Sequence, residues 1–253
     1  MLSVSNIFFR YQNDVVLDDV SFQLEKGDYC AVIGPNGSGK TTLLHILSGV
    51  LKKQEGKIHL FGKNIEDYDV KSLSMQIAIV PQRSEMVFHF SVFDMVMFGR
   101  HPYQTRWNTY SSDDESIVID ALKKTNLLAL KERMSFQLSG GEFQRMLIAR
   151  AIAQQAPLML LDEPLANLDI PHQYEILDIL SELNSAKQTT ILMVIHDVSL
   201  AIQAIPKSLL LKEGRVAYFG ETSEICRKRI IFDLFDLDER FEADAWGNVR
   251  KRN

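Results

Sequence analysis

Apolar and polar positions alternate at Leu2-Ser3-Val4-Ser5 and again at Val20-Ser21-Phe22-Gln23-Leu24, the spacing of half-buried strands. Glu25-Lys26-Gly27-Asp28 reads as the turn that follows. Tyr29 to Ile33 is continuously apolar, as in a strand covered on both faces of a parallel sheet. Gly34 to Gly39 is a glycine-rich loop, and Lys40 to Val50 opens a helix with Leu43, Leu44 and Leu47 on one face. Gly49 lies near its stop. Short strands are predicted at Ile58 to Phe61 and Ile77 to Val80. From Ser91 to about Gln155 the spacing turns helical, through Ile117, Ala121 and Leu122, then Leu127, Leu128 and Leu130. Strand–helix alternation returns over Leu158 to Asp162, Tyr174 to Leu183, Thr190 to Ile195 and Leu209 to Leu211. The pattern predicts one α/β core interrupted by a helical subdomain, not two domains in series.

Composition narrows the class. A hydrophobic share of 46% with 24% charged residues is that of an ordinary folded chain. The 28 Lys and Arg against 33 Asp and Glu give a formal net charge of -5, which argues against a nucleic-acid binder with a basic face. Arg250-Lys251-Arg252 is too short and too terminal to change that. Cys30 and Cys226 make neither a disulfide framework nor a metal cluster, and Cys30, in an apolar strand, reads as a buried, inert thiol. Met1 to Arg10 lacks a signal-peptide pattern. No apolar run approaches the ~18–20 residues a membrane span needs. The expectation is a cytosolic chain that reaches any membrane through a partner.

The candidate chemistry starts with Gly34-Pro35-Asn36-Gly37-Ser38-Gly39-Lys40-Thr41, followed by Thr42. Glycines in such a loop turn successive backbone N–H groups inward onto phosphates; Lys40 adds a charge near the β- and γ-phosphates, and the Thr41 hydroxyl suits Mg²⁺. Asp162-Glu163 closes the apolar run Leu158 to Leu161 and precedes Pro164. Alone, such a pair is a solvated strand end. With the phosphate loop present, Asp162 is placed to hold the Mg²⁺ shell and Glu163 to take a proton from an attacking water. Ser139-Gly140-Gly141-Glu142 reads both as a helix cap and, through its exposed amides, as an anion site at a helix start.

Leu138-Ser139-Gly140-Gly141-Glu142, lying between the loop and the acidic pair, resembles the signature of ATP-binding-cassette (ABC) ATPases. Phe143 departs from the polar residue more usual after it. The resemblance covers almost the whole chain. It implies a RecA-like P-loop core with an antiparallel β subdomain, over about 1–82 and 156–253, and a signature-bearing α-helical subdomain over about 83–155. It implies ATP and Mg²⁺ as cofactors, hydrolysis, and a homodimer in which the signature meets the γ-phosphate held by the other subunit. In the same way Tyr11 resembles the aromatic that stacks on adenine, Gln82 the residue touching Mg²⁺ and the attacking water, Leu168-Asp169 the turn crossing the dimer interface, and His196 the histidine contacting the γ-phosphate.

Within that family, Gly99-Arg100-His101-Pro102-Tyr103, Asp169-Ile170-Pro171-His172-Gln173 and His196-Asp197-Val198-Ser199-Leu200-Ala201 resemble segments of importers for iron-siderophore, haem and cobalamin complexes. That implies an integral membrane permease as partner, a periplasmic or surface substrate-binding protein indirectly, no nucleic acid, and a peripheral place on the cytoplasmic face of the inner membrane. Phe88, Phe90, Phe93, Met95, Met97 and Phe98 read as core, with part of the cluster open to a short helix from a membrane partner. Within the resembled family the alternative is an ABC importer or exporter of another cargo, and two other classes compete. A cassette protein acting on ribosomes or DNA usually carries two cassettes or a long coiled coil, and a phosphate-loop kinase leaves Leu138 to Glu142 unexplained.

Overall fold

The computed structural model describes residues 1–82, 90–104, 110–227, 230–238, 240–244 and 247–251, so Phe88 and Arg252 lie outside the described residues. The chain divides into two compact units, the first from Met1–Asp67 with Thr190–Asn253 and the second from Tyr68–Thr189.

The first unit opens with β1 (Leu2–Tyr11), β2 (Asp14–Leu24) and β3 (Tyr29–Ile33), then α1 (Lys40–Leu47), β4 (Glu55–Leu60) and β5 (Lys63–Asn64). The alternating stretches form one antiparallel sheet in the order β2-β1-β4-β5. Leu2, Val4 and Ile7 face its buried side. Tyr11 is the last residue of β1, a ten-residue strand. The strand is long because Tyr11 pairs with Asp14 across the tight turn into β2. The helix after the loop ends at Leu47, short of Val50, because Gly49 takes a left-handed φ of 76° and its N–H bonds back to Ile46.

The second unit contains α2 (Val70–Ser74), β6 (Ile77–Val80), α3 (Val92–Met97), α4 (Ser112–Lys124), α5 (Gly140–Gln154), β7 (Leu158–Asp162) and α6 (Ile170–Lys187). Tight 3₁₀ turns fill Phe98–Tyr103, Leu128–Leu130 and Ser135–Gln137 inside the stretch read as helical. Pro102 lies within the first of these, where no α-helix continues easily. Helix α4 buries Val118, Ala121 and Leu122 and begins with a capping box between Ser111 and Asp114. The strands β6 and β7 run parallel, with Val80 opposite Leu161.

The chain returns to the first unit with β8 (Thr190–Val194), α7 (Val198–Ala204), β9 (Lys207–Lys212), β10 (Arg215–Glu221), α8 (Glu224–Arg227), α9 (Ile230–Leu234), β11 (Phe241–Ala243) and β12 (Val249–Lys251). Here β3 is central, parallel to β8 on one side and to β9 on the other, with β10 antiparallel to β9. All five residues of β3 are buried, as its unbroken apolar run requires. Burial also pushes the Cys30 thiol well above its ordinary range, which leaves it unreactive.

Candidate functional site

The phosphate loop joins β3 to α1 in the first unit. Gly39 ends it in the left-handed region with φ 97°, and a Cβ there would sit 2.6 Å from the Leu17 side chain and 2.7 Å from the Val16 carbonyl oxygen. Only glycine lets the loop turn this tightly against β2. Lys40 is buried and curls back over the loop, donating from Nζ to the carbonyl oxygens of Gly34 and Pro35, each at 2.9 Å. No acidic side chain occupies the first turn of α1, and no side chain caps it. The N–H groups at that end therefore keep their positive potential for an anion. Ser38 Oγ is buried without a hydrogen-bond partner, an exception that a native interior seldom leaves unexplained. A phosphate oxygen would supply the missing partner, so the loop fits a nucleotide polyphosphate.

Strand pairing brings His196 to the loop's end of this unit, and Tyr11 lies at the turn into β2, whose Val16 approaches Gly39. Ile195 N donates to the Val32 carbonyl at 3.1 Å, and Val32 pairs with Val194. His196 thus leaves β8 at the level where β3 gives way to Gly34. It is exposed, and Asp197 beside it caps α7 by accepting from Leu200 N at 3.0 Å. Tyr11 is 47% exposed at the strand turn leading into β2, with its ring edge-on to Phe9 at 4.9 Å. An exposed aromatic held by a buried one is a ready stacking surface.

The second unit holds the carboxylates. Asp162 is buried at the end of β7, and Glu163 follows with φ 50°, in the left-handed region that residues with side chains seldom occupy. Its carbonyl accepts from Ala166 N at 3.1 Å, closing a tight turn. Because β6 and β7 are parallel and in register, Gln82 emerges beside Glu163 and donates from Nε2 to Glu163 Oε2 at 2.5 Å. A neutral donor on that oxygen orients the carboxylate without placing a second charge beside it. Gln173 Nε2 donates to the carbonyls of Leu165 and Leu168, at 3.4 Å and 3.1 Å, and so stiffens the turn that ends at Asp169. Asp169 is exposed at the N-cap of α6, and its side chain makes no capping bond.

The signature is a helix start. Ser139 accepts at Oγ from Glu142 N at 3.3 Å, and Ser139 N donates to Glu142 Oε2 at 2.8 Å, a complete capping box at the head of α5. That amide, more than any other group, holds the Glu142 carboxyl below the usual carboxylate range. Ser139 and Gly140 are exposed, whereas Gly141 is buried against α6. A Cβ on Gly141 would stand 2.6 Å from the His172 ring. Arg145, one turn further along α5, pairs with Glu175 at 2.5 Å, and Glu175 also accepts from Asn126 and lies 3.5 Å from His172. Sequence reading did not single out Arg145 or Glu175. They are thirty positions apart with no shared motif, and only the packing of α5 on α6 joins them.

Arg100 acquires a physical role. It is buried, donates from Nε to Asp114 at 2.7 Å and from Nη1 to Ala153 O and Gln155 Oε1, and stacks 4.0 Å from the Tyr103 ring centroid. It is a lock between the 3₁₀ turn, α4 and α5. Met95 and Met97 are core, while Phe98 is 39% and Val70 88% exposed beside a largely apolar groove of about 670 Å³ that Pro102 and Gln154 also line.

The model of the family described as "ABC transporter" matches residues 17–166. The chain is 36% identical over 247 residues to the iron(3+)-hydroxamate import ATP-binding protein of Bacillus subtilis, covering 98% of this chain and 92% of that one. It is 35% identical over 238 residues to a petrobactin import ATP-binding protein of Bacillus anthracis, covering 94% and 88%. Among solved structures, a metal-chelate type ABC transporter in an inward-facing conformation superposes with a TM-score of 0.83 at 34% identity, covering 100% of this chain and 97% of that one. A dimeric ATP-binding cassette in a post-hydrolysis state with ADP and Pi superposes at 0.76, with 26% identity and coverage of 88% and 99%.

Proposed function

The chain belongs to the ABC transporter family and is an ATPase of it, and from that premise we propose that it powers uptake of a metal chelate through a partner permease. The pair Gln82–Glu163 is the observation that carries the hydrolytic reading, since it holds a carboxylate in one orientation at a strand end. Glu163 accepts the proton of a water whose oxygen attacks the γ-phosphorus as the bond from that phosphorus to the β–γ bridging oxygen breaks and ADP leaves with inorganic phosphate, and general-base help of this kind contributes about 10²–10⁴-fold. Lys40 and the Gly34 to Thr42 loop, through its N–H groups other than at Pro35, bind the phosphates, His196 contacts the γ-phosphate, and Tyr11 stacks on adenine. Thr41, Gln82 and Asp162 would hold Mg²⁺, which when bound neutralises charge on the β- and γ-phosphates.

Ser139, Gly140 and Gly141 of one copy serve the ATP of a second copy, with Asp169 reaching across the same interface. Closing this homodimer on ATP and reopening it after hydrolysis drives the permease, because only differential affinity for the two states moves an equilibrium. Among the described residues no helix is long and apolar enough to cross a membrane, which suits a peripheral subunit on the cytoplasmic face. The groove between Val70 and Phe98 accepts a short permease helix. The iron-chelate names of the relatives support the cargo class, and an external substrate-binding protein delivers that cargo. Vesicles containing the chain and its permease should take up a ferric hydroxamate in an ATP-dependent manner. Turnover indifferent to every iron chelate, with no permease co-purifying, would remove the importer reading.

A further inference from the structure

We propose that Asn248, in the C-terminal hairpin, is a positioning residue for the His196 loop. The inference rests on the reading of His196 as a γ-phosphate contact. His196-Asp197 is a two-residue link between a rigid strand and a short helix. Its strand side is anchored where Ile195 N bonds to Val32 O. Its helix side is the first turn of α7, where Ser199 Oγ donates to Asn248 Oδ1 at 2.8 Å. Forty-nine positions separate these two residues, so the bond ties the start of α7 to the far end of the chain.

Asn248 is itself held firmly. Its backbone N–H donates to Asp244 Oδ1 at 3.0 Å, its Nδ2 to Asp244 Oδ2 at 2.9 Å, and Gly247 N to the Asp244 carbonyl at 3.1 Å. The segment leading to the hairpin is fastened to β9. Lys212 Nζ donates to Asp233 O and Asp236 Oδ1, both at 2.5 Å, and Ile231 and Leu234 are 1% exposed. A cleft of about 460 Å³ lies between the two parts, bounded by His196, Asp197 and Ser199 on one side and by Phe235, Leu237 and Asn248 on the other. The Ser199–Asn248 bond bridges this cleft. Fixing α7 at its first turn fixes the path of the link, and geometry at a reacting centre is costly to lose even by small displacements.

The test is steady-state hydrolysis by the full-length chain, with Mg·ATP affinity and thermal midpoint measured on the same preparations. Asn248→Ala and Ser199→Ala remove the bond from opposite sides. Each should lower kcat about three- to tenfold, the factor one net hydrogen bond supplies. Mg·ATP affinity and thermal midpoint should hold, the double variant should be no slower than either single one, and Ser199→Thr, which keeps the hydroxyl, should restore turnover. Wild-type kcat in both single variants overturns the proposal, as does a loss of kcat that merely follows a lowered midpoint. His196→Ala separates the premise from the inference. If it leaves turnover intact, the reading of His196 has failed. If it abolishes turnover while Asn248→Ala does not slow it, only the positioning role has failed.

Discussion

Gln82 Nε2 donates to Glu163 Oε2 at 2.5 Å, across eighty-one positions of sequence, because β6 and β7 lie parallel with Val80 opposite Leu161. One consequence is a difference between two substitutions. Glu163→Gln keeps the shape but cannot take a proton, so turnover should fall by about 10²–10⁴-fold while Mg·ATP still binds. ATP should then hold two copies together, seen on sizing as a mass increase with ATP and not with ADP. Gln82→Ala leaves the base in place but less firmly oriented and should slow hydrolysis less. Equal rates for wild type and Glu163→Gln would move the base elsewhere, with His196 the next candidate.

Lys40→Ala removes the charge facing the β- and γ-phosphates and the two bonds that fold the side chain over Gly34 and Pro35. Tight nucleotide binding should disappear with little change in fold. Titration with a fluorescent ATP analogue checks this, and wild-type affinity would contradict the assignment of the loop.

Ser139→Arg places a bulky cation at an exposed helix start while leaving the phosphate loop of the same chain untouched. Binding of ATP by the monomer should survive, and hydrolysis should fall steeply. It should also lose about 0.5–2 kcal/mol of stability with the cap. Mixing it with Lys40→Ala should restore part of the activity, since one composite site of the mixed dimer keeps both Lys40 and the facing Ser139. Full hydrolysis by Ser139→Arg as a monomer would contradict the dimeric mechanism.

Acid stability should depend on two carboxyls. The backbone N–H of Ser111 first, then Arg100 and the Ser111 hydroxyl, hold Asp114 below the usual carboxylate range, and the Ser139 amide does the same for Glu142. A depressed folded-state pKa contributes stability that is present above the ordinary carboxylate pKa and lost as pH falls through the depressed value. Asp114→Asn and Glu142→Gln should therefore lower the denaturation midpoint at neutral pH, and the deficit should shrink as the pH drops below the usual carboxylate range. A deficit that stays constant down to strong acid would mean these carboxyls are not the source.

Much of this protein is determined locally, and there the sequence suffices. An unbroken apolar run makes β3 and β7 buried strands, alternation makes β1 and β2, and Gly39 with φ 97° turns the phosphate loop wherever that loop is placed. Ser139 and Glu142, three positions apart, specify their own helix start. Resemblance in those same stretches carried the family and the chemistry. What the tertiary structure decided are the partnerships between residues remote in sequence. Gln82 reaches Glu163 only through strand register, and Arg145 meets Glu175 only through helix packing. The Arg100 of a family-like segment proves to be a buried lock onto Asp114 and Ala153, and the hairpin that bears Asn248 finds Ser199. Backbone preference acts over a few residues, whereas these contacts depend on which surfaces the folded chain buries against each other. No periodicity or motif encodes that pairing one residue at a time.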